Sequence, residues 1–320
     1  MRYKVAITTK TYYTDGSIKI LRAADADLFL KISRTEEEVI ENTEGMDAVI
    51  TTVAPFSRNV LERLVRCKGI VRVGVGVDNF DLEAATEKGI YVVNVPDYVA
   101  DDVANHTLAF ILACARRLIQ IDAATKRGSW TLDAFPVSGL RDQTVGLLGF
   151  GRIAKAVVSR LRPFGPRIIV YHPRVTKEAI EAAGCALVNL DCLITESDFL
   201  SIHCPLTSET RGLLGEKELK QMKENSYLIN TARAGIVDQQ ALQKALREHW
   251  ISGAALDVFE NEPPDRSEPL LSIENVICSP HIGWYAEDSR KAAADKGAYE
   301  VVRILKGERP LNVVNKQILC

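Results

Sequence analysis

Thr144-Val145-Gly146-Leu147-Leu148-Gly149-Phe150-Gly151-Arg152-Ile153-Ala154-Lys155 is the stretch on which the reading of this chain turns. A short apolar run, Val145 to Leu148, breaks into Gly-x-Gly-x-x-Ala, and an amphipathic segment, Ile153 to Leu161, follows. That pattern reads as strand, tight turn and helix. Gly149 suits the turn, and Gly151, having no side chain, lets a ligand approach the backbone. Ala154 stands where a third glycine often sits and still permits close packing of helix on strand. The helix N-terminus then offers free N–H groups and a partial positive charge, the conditions that hold a pyrophosphate. By itself the glycine pattern is weak and fits a turn in other α/β units. Here a second β-run, Arg167 to Tyr171, follows after one helix length and completes the β–α–β context of a dinucleotide site.

The chain has 320 residues, enough for two domains with sizeable cores. Charged residues make up 26% and the net charge is −2, so neither nucleic acid nor an acidic membrane surface is an expected partner. The 7 cysteines (Cys67, Cys114, Cys185, Cys192, Cys204, Cys278 and Cys320) are odd in number and scattered, without Cys-x-x-Cys. They predict no disulfide framework and no metal site. The N-terminus enters a strand directly, without the apolar core of a signal peptide, and no apolar run approaches the roughly 20 residues of a membrane span. A cytoplasmic location is the expectation.

Taken in order, residues 1–100 read as alternating strands and helices. Strands are expected at Lys4 to Thr8, Ala48 to Val53, Ile70 to Val73 and Tyr91 to Val93, with Ser57 as the cap of a helix through Leu64. Strands separated by helices argue for a parallel sheet. This part carries no dinucleotide fingerprint. Asp101 to Leu118 reads as one long apolar helix, acidic at its start and basic at its end. A polar stretch with Trp130 follows, Asp122 to Asp133. Beyond Tyr171, strands are expected at Cys185 to Val188, Phe199 to His203, Ser226 to Asn230, Gly253 to Asp257 and Val276 to Ser279. Polar and reactive residue types recur just past their C-terminal ends, where open α/β sheets bind ligands. The last helix, Ser289 to Leu305, is expected to return to the first domain.

Three late residues suggest chemistry: Arg233 in a glycine-flanked loop, Glu262 in Glu260-Asn261-Glu262-Pro263-Pro264, and His281 after Ser279-Pro280. A carboxylate stabilises an imidazolium, so a His–Glu pair can exchange a proton near neutral pH. A guanidinium can hold a substrate carboxylate through two bonds and polarise the adjacent carbonyl. Beside a nicotinamide, these groups suit hydride transfer at a carbon bearing oxygen. Spacing alone does not separate this from solvated Arg and Glu and a structural His. His106, His249 and His203 read as structural.

The second half resembles the D-isomer-specific 2-hydroxyacid dehydrogenase family. The resemblance rests on Gly146 to Ile153, Ile202-His203-Cys204-Pro205-Leu206-Thr207, Asn230-Thr231-Ala232-Arg233-Ala234-Gly235, Ala255 to Pro263, and Ser279-Pro280-His281-Ile282-Gly283, in that order. It implies an α/β fold of two Rossmann-like domains. One is a flavodoxin-like substrate domain (residues 1–100 plus 288–320); the other is a doubly wound parallel-sheet dinucleotide domain (101–287). It implies NAD or NADP as cofactor, a small 2-oxo or 2-hydroxy acid as substrate, and a homodimer built around residues 100–150. By the same resemblance Arg233 would bind the substrate carboxylate and carbonyl, His281 would be the acid/base, and Glu262 would stabilise its protonated form. Gly149, Gly151, Arg152, Ile153, Cys204, Pro205, Thr210, Thr231, Ala232 and Gly283 would line the cofactor, and Asp257 would meet the nicotinamide carboxamide. Val75 and Gly76 would offer N–H groups to the substrate carboxylate, supported by Asp78 and Asn79. Asn105 stands where many relatives carry an acid.

Three departures qualify that picture. His172, followed by Pro173-Arg174, replaces the Asp expected to grip the adenosine ribose. Removing that carboxylate removes its repulsion of a 2′-phosphate, which Arg174 and His172 could attract, so NADP stands beside NAD. Val53-Ala54-Pro55-Phe56 lacks the Arg of the phosphoglycerate branch, and no C-terminal regulatory domain is expected, which favours a small or apolar unphosphorylated acid. Val75 and Glu262 argue against the phosphite and formate dehydrogenase branches. Trp284-Tyr285 resembles the C-terminal binding proteins, so an NAD(H)-sensing corepressor-like binder is the alternative. Substrate specificity is expected near Tyr12, Phe56 and Trp284.

Overall fold

The computed structural model describes residues 2–96, 99–131 and 135–319. The chain divides into two compact units, Met1–Val99 with Tyr285–Cys320, and Ala100–Trp284.

The first unit is built on β1 (Tyr3–Ile7), α1 (Asp15–Ala23), β2 (Ala26–Leu30), α2 (Glu36–Thr43), β3 (Ala48–Thr51), α3 (Arg58–Arg63), β4 (Gly69–Arg72), α4 (Leu82–Glu87) and β5 (Tyr91–Asn94). Its five strands are parallel in the order β2-β1-β3-β4-β5, the flavodoxin-like arrangement. The inner strands are buried on both faces, which is why Val5-Ala6-Ile7 and Ala48 to Ile50 read as unbroken apolar runs. Thr14 with Ser17, and Thr35 with Glu38, form reciprocal capping boxes that start α1 and α2. The final helix, Glu287–Leu305, packs on β3 and β4 of this unit.

The second unit holds α5 (Ala100–Ala115), α6 (Leu118–Lys126), β6 (Thr144–Leu148), α7 (Arg152–Leu161), β7 (Arg167–Tyr171), α8 (Lys177–Glu181), β8 (Ala186–Leu187), α9 (Leu190–Glu196), β9 (Phe199–Ile202), α10 (Glu216–Gln221), β10 (Tyr227–Asn230), α11 (Gln239–Arg247), β11 (Gly253–Leu256) and β12 (Val276–Cys278). Seven parallel strands run β12-β11-β10-β9-β6-β7-β8, a doubly wound sheet whose order reverses between β6 and β9. One face carries the cluster around Leu200, Leu228, Leu242 and Leu246, and the other that around Val145, Leu147, Val157 and Phe199.

The structure corrects three expectations. The helix expected to reach Leu118 ends at Ala115, because Arg117 turns left-handed (φ 45°) and redirects the chain into α6. The polar stretch from Asp122 is helical to Lys126, while Leu132 and Asp133 lie outside the described residues. Ser57 precedes α3 without a side-chain cap bond, and its buried Oγ has no partner among the described residues.

Candidate active site

The glycine turn sits at the reversal point of the second sheet. Gly149 follows β6 with φ 106°, a conformation open to glycine, and its N–H donates to the Tyr171 carbonyl (2.9 Å). A Cβ there would lie 2.8 Å from the backbone N of Cys204, at the end of β9. Gly151 is the N-cap of α7, with no side chain closing the first-turn N–H groups. Apart from its own chain neighbours, no described residue comes within 4 Å of where its Cβ would stand. Arg152 is exposed and Ile153 half-buried beside it. An uncapped ten-residue helix with open space over its N-cap fits a dinucleotide pyrophosphate.

Past β7, His172 is turned to its own backbone. Its Nδ1 accepts the N–H groups of Arg174 (3.0 Å) and Val175 (3.1 Å). Nδ1 therefore carries no proton, and a neutral ring bears its hydrogen on Nε2. Burial and then the Arg174 charge lower its pKa, which favours that neutral form. Arg174 is exposed.

Past β9, the Cys204 backbone abuts Gly149, and burial pushes its thiol up to about 11. Thr210 donates to the Pro205 carbonyl (2.6 Å) and accepts from Thr207 N (2.8 Å), closing that loop upon itself. Past β10, Thr231 Oγ1 meets Thr107 Oγ1 of α5 (3.0 Å). Buried Asn230 accepts from Ala232 N (3.0 Å) and donates to the Arg233 carbonyl (2.9 Å), shaping the turn that carries Arg233. The Arg233 guanidinium donates to Ala232 O (2.7 Å).

The acid/base candidates come together past β11 and β12. His281 Nδ1 lies 2.5 Å from Glu262 Oε2, and Glu262 Oε1 accepts from Phe259 N (3.1 Å). Burial pushes the Glu262 carboxyl up, but the His281 hydrogen bond and charge, the Phe259 N–H and the Arg233 charge overcome it and hold the carboxyl below its ordinary value. All three candidates thus act within one electrostatic neighbourhood. His281 has φ 53°, a left-handed conformation costing roughly 1–3 kcal/mol outside glycine. Its N–H is held by the Asp257 carbonyl (2.8 Å), and Trp284 Nε1 donates to its carbonyl (2.9 Å).

Asp257 and Gly283 are tied to each other and to the His281 loop. Asp257 is 2% exposed; its Oδ1 accepts from Ser279 Oγ (2.5 Å) and Ile282 N (2.9 Å), and its Oδ2 from Gly283 N (2.8 Å). The Gly283 Cα sits so close that a Cβ would meet Asp257 Oδ2 at 2.9 Å. His106 Nε2 reaches Ser279 Oγ (2.9 Å). Sequence reading passed over Asn230, Ser279 and His106 as site residues; the first two lie inside matching segments, and nothing local marks His106.

Val75 and Gly76 belong to the other unit. Val75 is exposed, and its carbonyl accepts from Asn94 Nδ2 (2.8 Å). Asn79 donates to the Ala54 carbonyl (2.6 Å), tying down the turn. Phe56 cannot touch a substrate, because it is fully buried and stacked on Phe80 (centroids 5.1 Å apart). Tyr12 is likewise a core residue. Among the described residues no helix is long and apolar enough to cross a membrane, and no cluster of side chains could hold a metal ion.

Residues 108–283 match the family described as D-isomer specific 2-hydroxyacid dehydrogenase, NAD binding domain. The chain is 42% identical over 289 residues to a glyoxylate reductase of Thermococcus litoralis, covering 88% of this chain and 87% of that one. It is 41% identical over 314 residues to a D-3-phosphoglycerate dehydrogenase of Methanocaldococcus jannaschii, covering 98% of this chain but only 59% of that longer protein. Aquifex aeolicus D-lactate dehydrogenase, solved with NAD and lactic acid, superposes with a TM-score of 0.88 at 28% identity, covering 95% of this chain and 96% of that one.

Proposed function

The chain belongs to the D-isomer specific 2-hydroxyacid dehydrogenase family, and from that premise we propose that it interconverts a small 2-oxo acid and its D-2-hydroxy acid, with His281 as the acid/base. The observation that carries this reading is the His281–Glu262 pair at 2.5 Å with the Arg233 charge acting on Glu262. The first turn of α7, with Gly149 and Gly151, would hold a nicotinamide dinucleotide by its pyrophosphate, and His172 and Arg174 would meet the adenosine end. When bound, that cofactor supplies or takes the hydride. Arg233 holds the substrate carboxylate and polarises the carbonyl. His281 gives a proton to the carbonyl oxygen in reduction and takes it from the hydroxyl in oxidation. Glu262 stabilises the imidazolium and fixes which ring nitrogen faces the substrate. Val75 and Gly76 are proposed as further carboxylate donors. Val53-Ala54-Pro55-Phe56 lacks the arginine expected where a substrate phosphate is held, which supports an unphosphorylated acid of the glyoxylate or hydroxypyruvate class.

Exposed apolar side chains on and beyond α6, Leu118, Ile119 and Trp130 (92% exposed), support a homodimer.

The test is reduction of glyoxylate, hydroxypyruvate, pyruvate and phenylpyruvate with NADH and with NADPH. Turnover of at least one, reduced a thousandfold or more in His281→Ala, is the expected result. Protein that binds a dinucleotide yet reduces none of the four would overturn the reading and favour the dinucleotide-sensing binder.

A further inference from the structure

A chain of hydrogen bonds runs from α5 into the loop that carries His281. Ser279 Oγ has a single proton, and it is directed at Asp257 Oδ1 (2.5 Å). Ser279 Oγ can therefore only accept from His106 Nε2 (2.9 Å), so His106 must carry a hydrogen on that nitrogen. The order is fixed: His106 donates to Ser279, and Ser279 donates to Asp257. Asp257 then gathers the loop. Its carbonyl accepts from His281 N (2.8 Å), Oδ1 from Ile282 N (2.9 Å) and Oδ2 from Gly283 N (2.8 Å). Three successive amides converge on one residue, and the backbone that lets them do so places His281 at φ 53°. His106 is itself fixed by an edge-on contact with Phe110 one turn along α5 (centroids 4.4 Å apart).

We propose that His106 and Ser279 are positioning residues that act through Asp257 to hold His281 in line with Glu262. Asp257 serves the loop with both carboxylate oxygens: Oδ1 takes Ser279 Oγ and Ile282 N, and Oδ2 takes Gly283 N. A carboxylate held by three donors keeps its geometry; one deprived of the Ser279 hydroxyl is free to turn, and the amides of Ile282 and Gly283 turn with it. The His281 ring then spends less time against Glu262. Proton transfer to and from the substrate suffers, while the α7 N-terminus, which holds the cofactor, does not change. This inference rests on the acid/base role of His281 proposed above.

Two measurements test it. The first needs no turnover: imidazole nitrogen NMR on the full-length protein, with the His106 signals assigned by their loss in His106→Gln. His106 is expected to carry a hydrogen on Nε2; a ring protonated on Nδ1 alone overturns the proposal. The second is steady-state reduction of whichever 2-oxo acid the wild-type protein turns over. His106→Leu and Ser279→Ala should each lower kcat ten- to a hundredfold, with KM and dinucleotide Kd within about twofold. The double variant should be no slower than the worse single one, since both cut the same chain. Ser279→Thr and His106→Gln, which keep the donors, should recover most of the rate. Unchanged kcat, multiplicative losses, or loss of dinucleotide binding in step with kcat would each overturn the proposal. Failure of the wild-type protein to turn over any acid instead removes the acid/base premise, leaving the NMR result to decide the hydrogen-bond chain.

Discussion

Gly149 and Cys204 lie back to back: the position of a Cβ on residue 149 is 2.8 Å from the Cys204 backbone N and 2.8 Å from the His203 carbonyl carbon. Both obstacles are main chain, so nothing can rotate away. Gly149→Ala also has to hold φ 106°. Strain and overpacking together should cost roughly 2–4 kcal/mol. Gly151→Ala meets open space, so it should leave stability nearly unchanged while weakening dinucleotide binding. Urea unfolding and dinucleotide titration of both variants check this; equal stability losses would contradict it.

Glu262→Gln keeps the shape of the His281 partner and removes its charge. The imidazolium then loses its counter-ion, and kcat should fall by about tenfold or more. In the native protein the Glu262 carboxyl sits below its ordinary value. Its stabilising effect is therefore complete above the unfolded carboxylate value, near 4.3, and is lost as pH falls through the lower folded value. Unfolding measured from pH 6 to 3 should show a steeper acid-side loss in the native protein than in Glu262→Gln.

His203 supplies a second, separate pH window. Burial lowers it to about 4, and its Nε2 pairs with Ser201 Oγ (2.8 Å). The unfolded chain takes up this proton from about pH 6.5 downward while the folded chain resists it, so stability falls as pH drops from 6.5 toward 4. His203→Gln keeps a polar partner for Ser201 and should flatten the stability–pH slope in that interval. An unaltered slope would show that another group produces it.

Cofactor choice turns on Arg174. With the His172 Nδ1 occupied by two amides, the ring offers a single N–H, and Arg174 is the cation of this turn. Arg174→Ala should weaken NADPH binding about tenfold relative to NADH, close to the worth of one charge-assisted bond to phosphate. Equal effects on both dinucleotides would place the 2′-phosphate elsewhere.

Ile119 is half exposed on α6, with Leu118 beside it. Sedimentation of the native protein should give a dimer, and Ile119→Glu should shift it toward monomer, because a charge on a buried apolar face is costly. A native monomer would remove the proposal.

Much of the site was legible in the chain because its residues are local signals. Gly149, Gly151, Arg233, Glu262 and His281 each sit in a short motif following an apolar run, and the unbroken apolar character of strands buried on both faces placed those runs. The capping box Thr35-x-x-Glu38 was equally legible and marks a helix that periodicity alone passed over. Edge strand β2 was not, since partial exposure and Asp27 blur its pattern. The stacking of Phe56 on Phe80 was not legible either, because sequence shows an aromatic residue without its neighbour.

The sequence by itself determined the alternation of strands and helices and the glycine turn that opens α7. These depend on neighbours within a few residues, where spacing and residue type are nearly the whole of the physics. Only the tertiary structure decided that His106 reaches Ser279, 173 residues away, and that Asp257 turns inward to the His281 loop. Those contacts exist because the parallel order of β10, β11 and β12 brings distant loops to one end of a sheet, beside α5. Hydrogen bonding then selects among side chains that no local pattern relates.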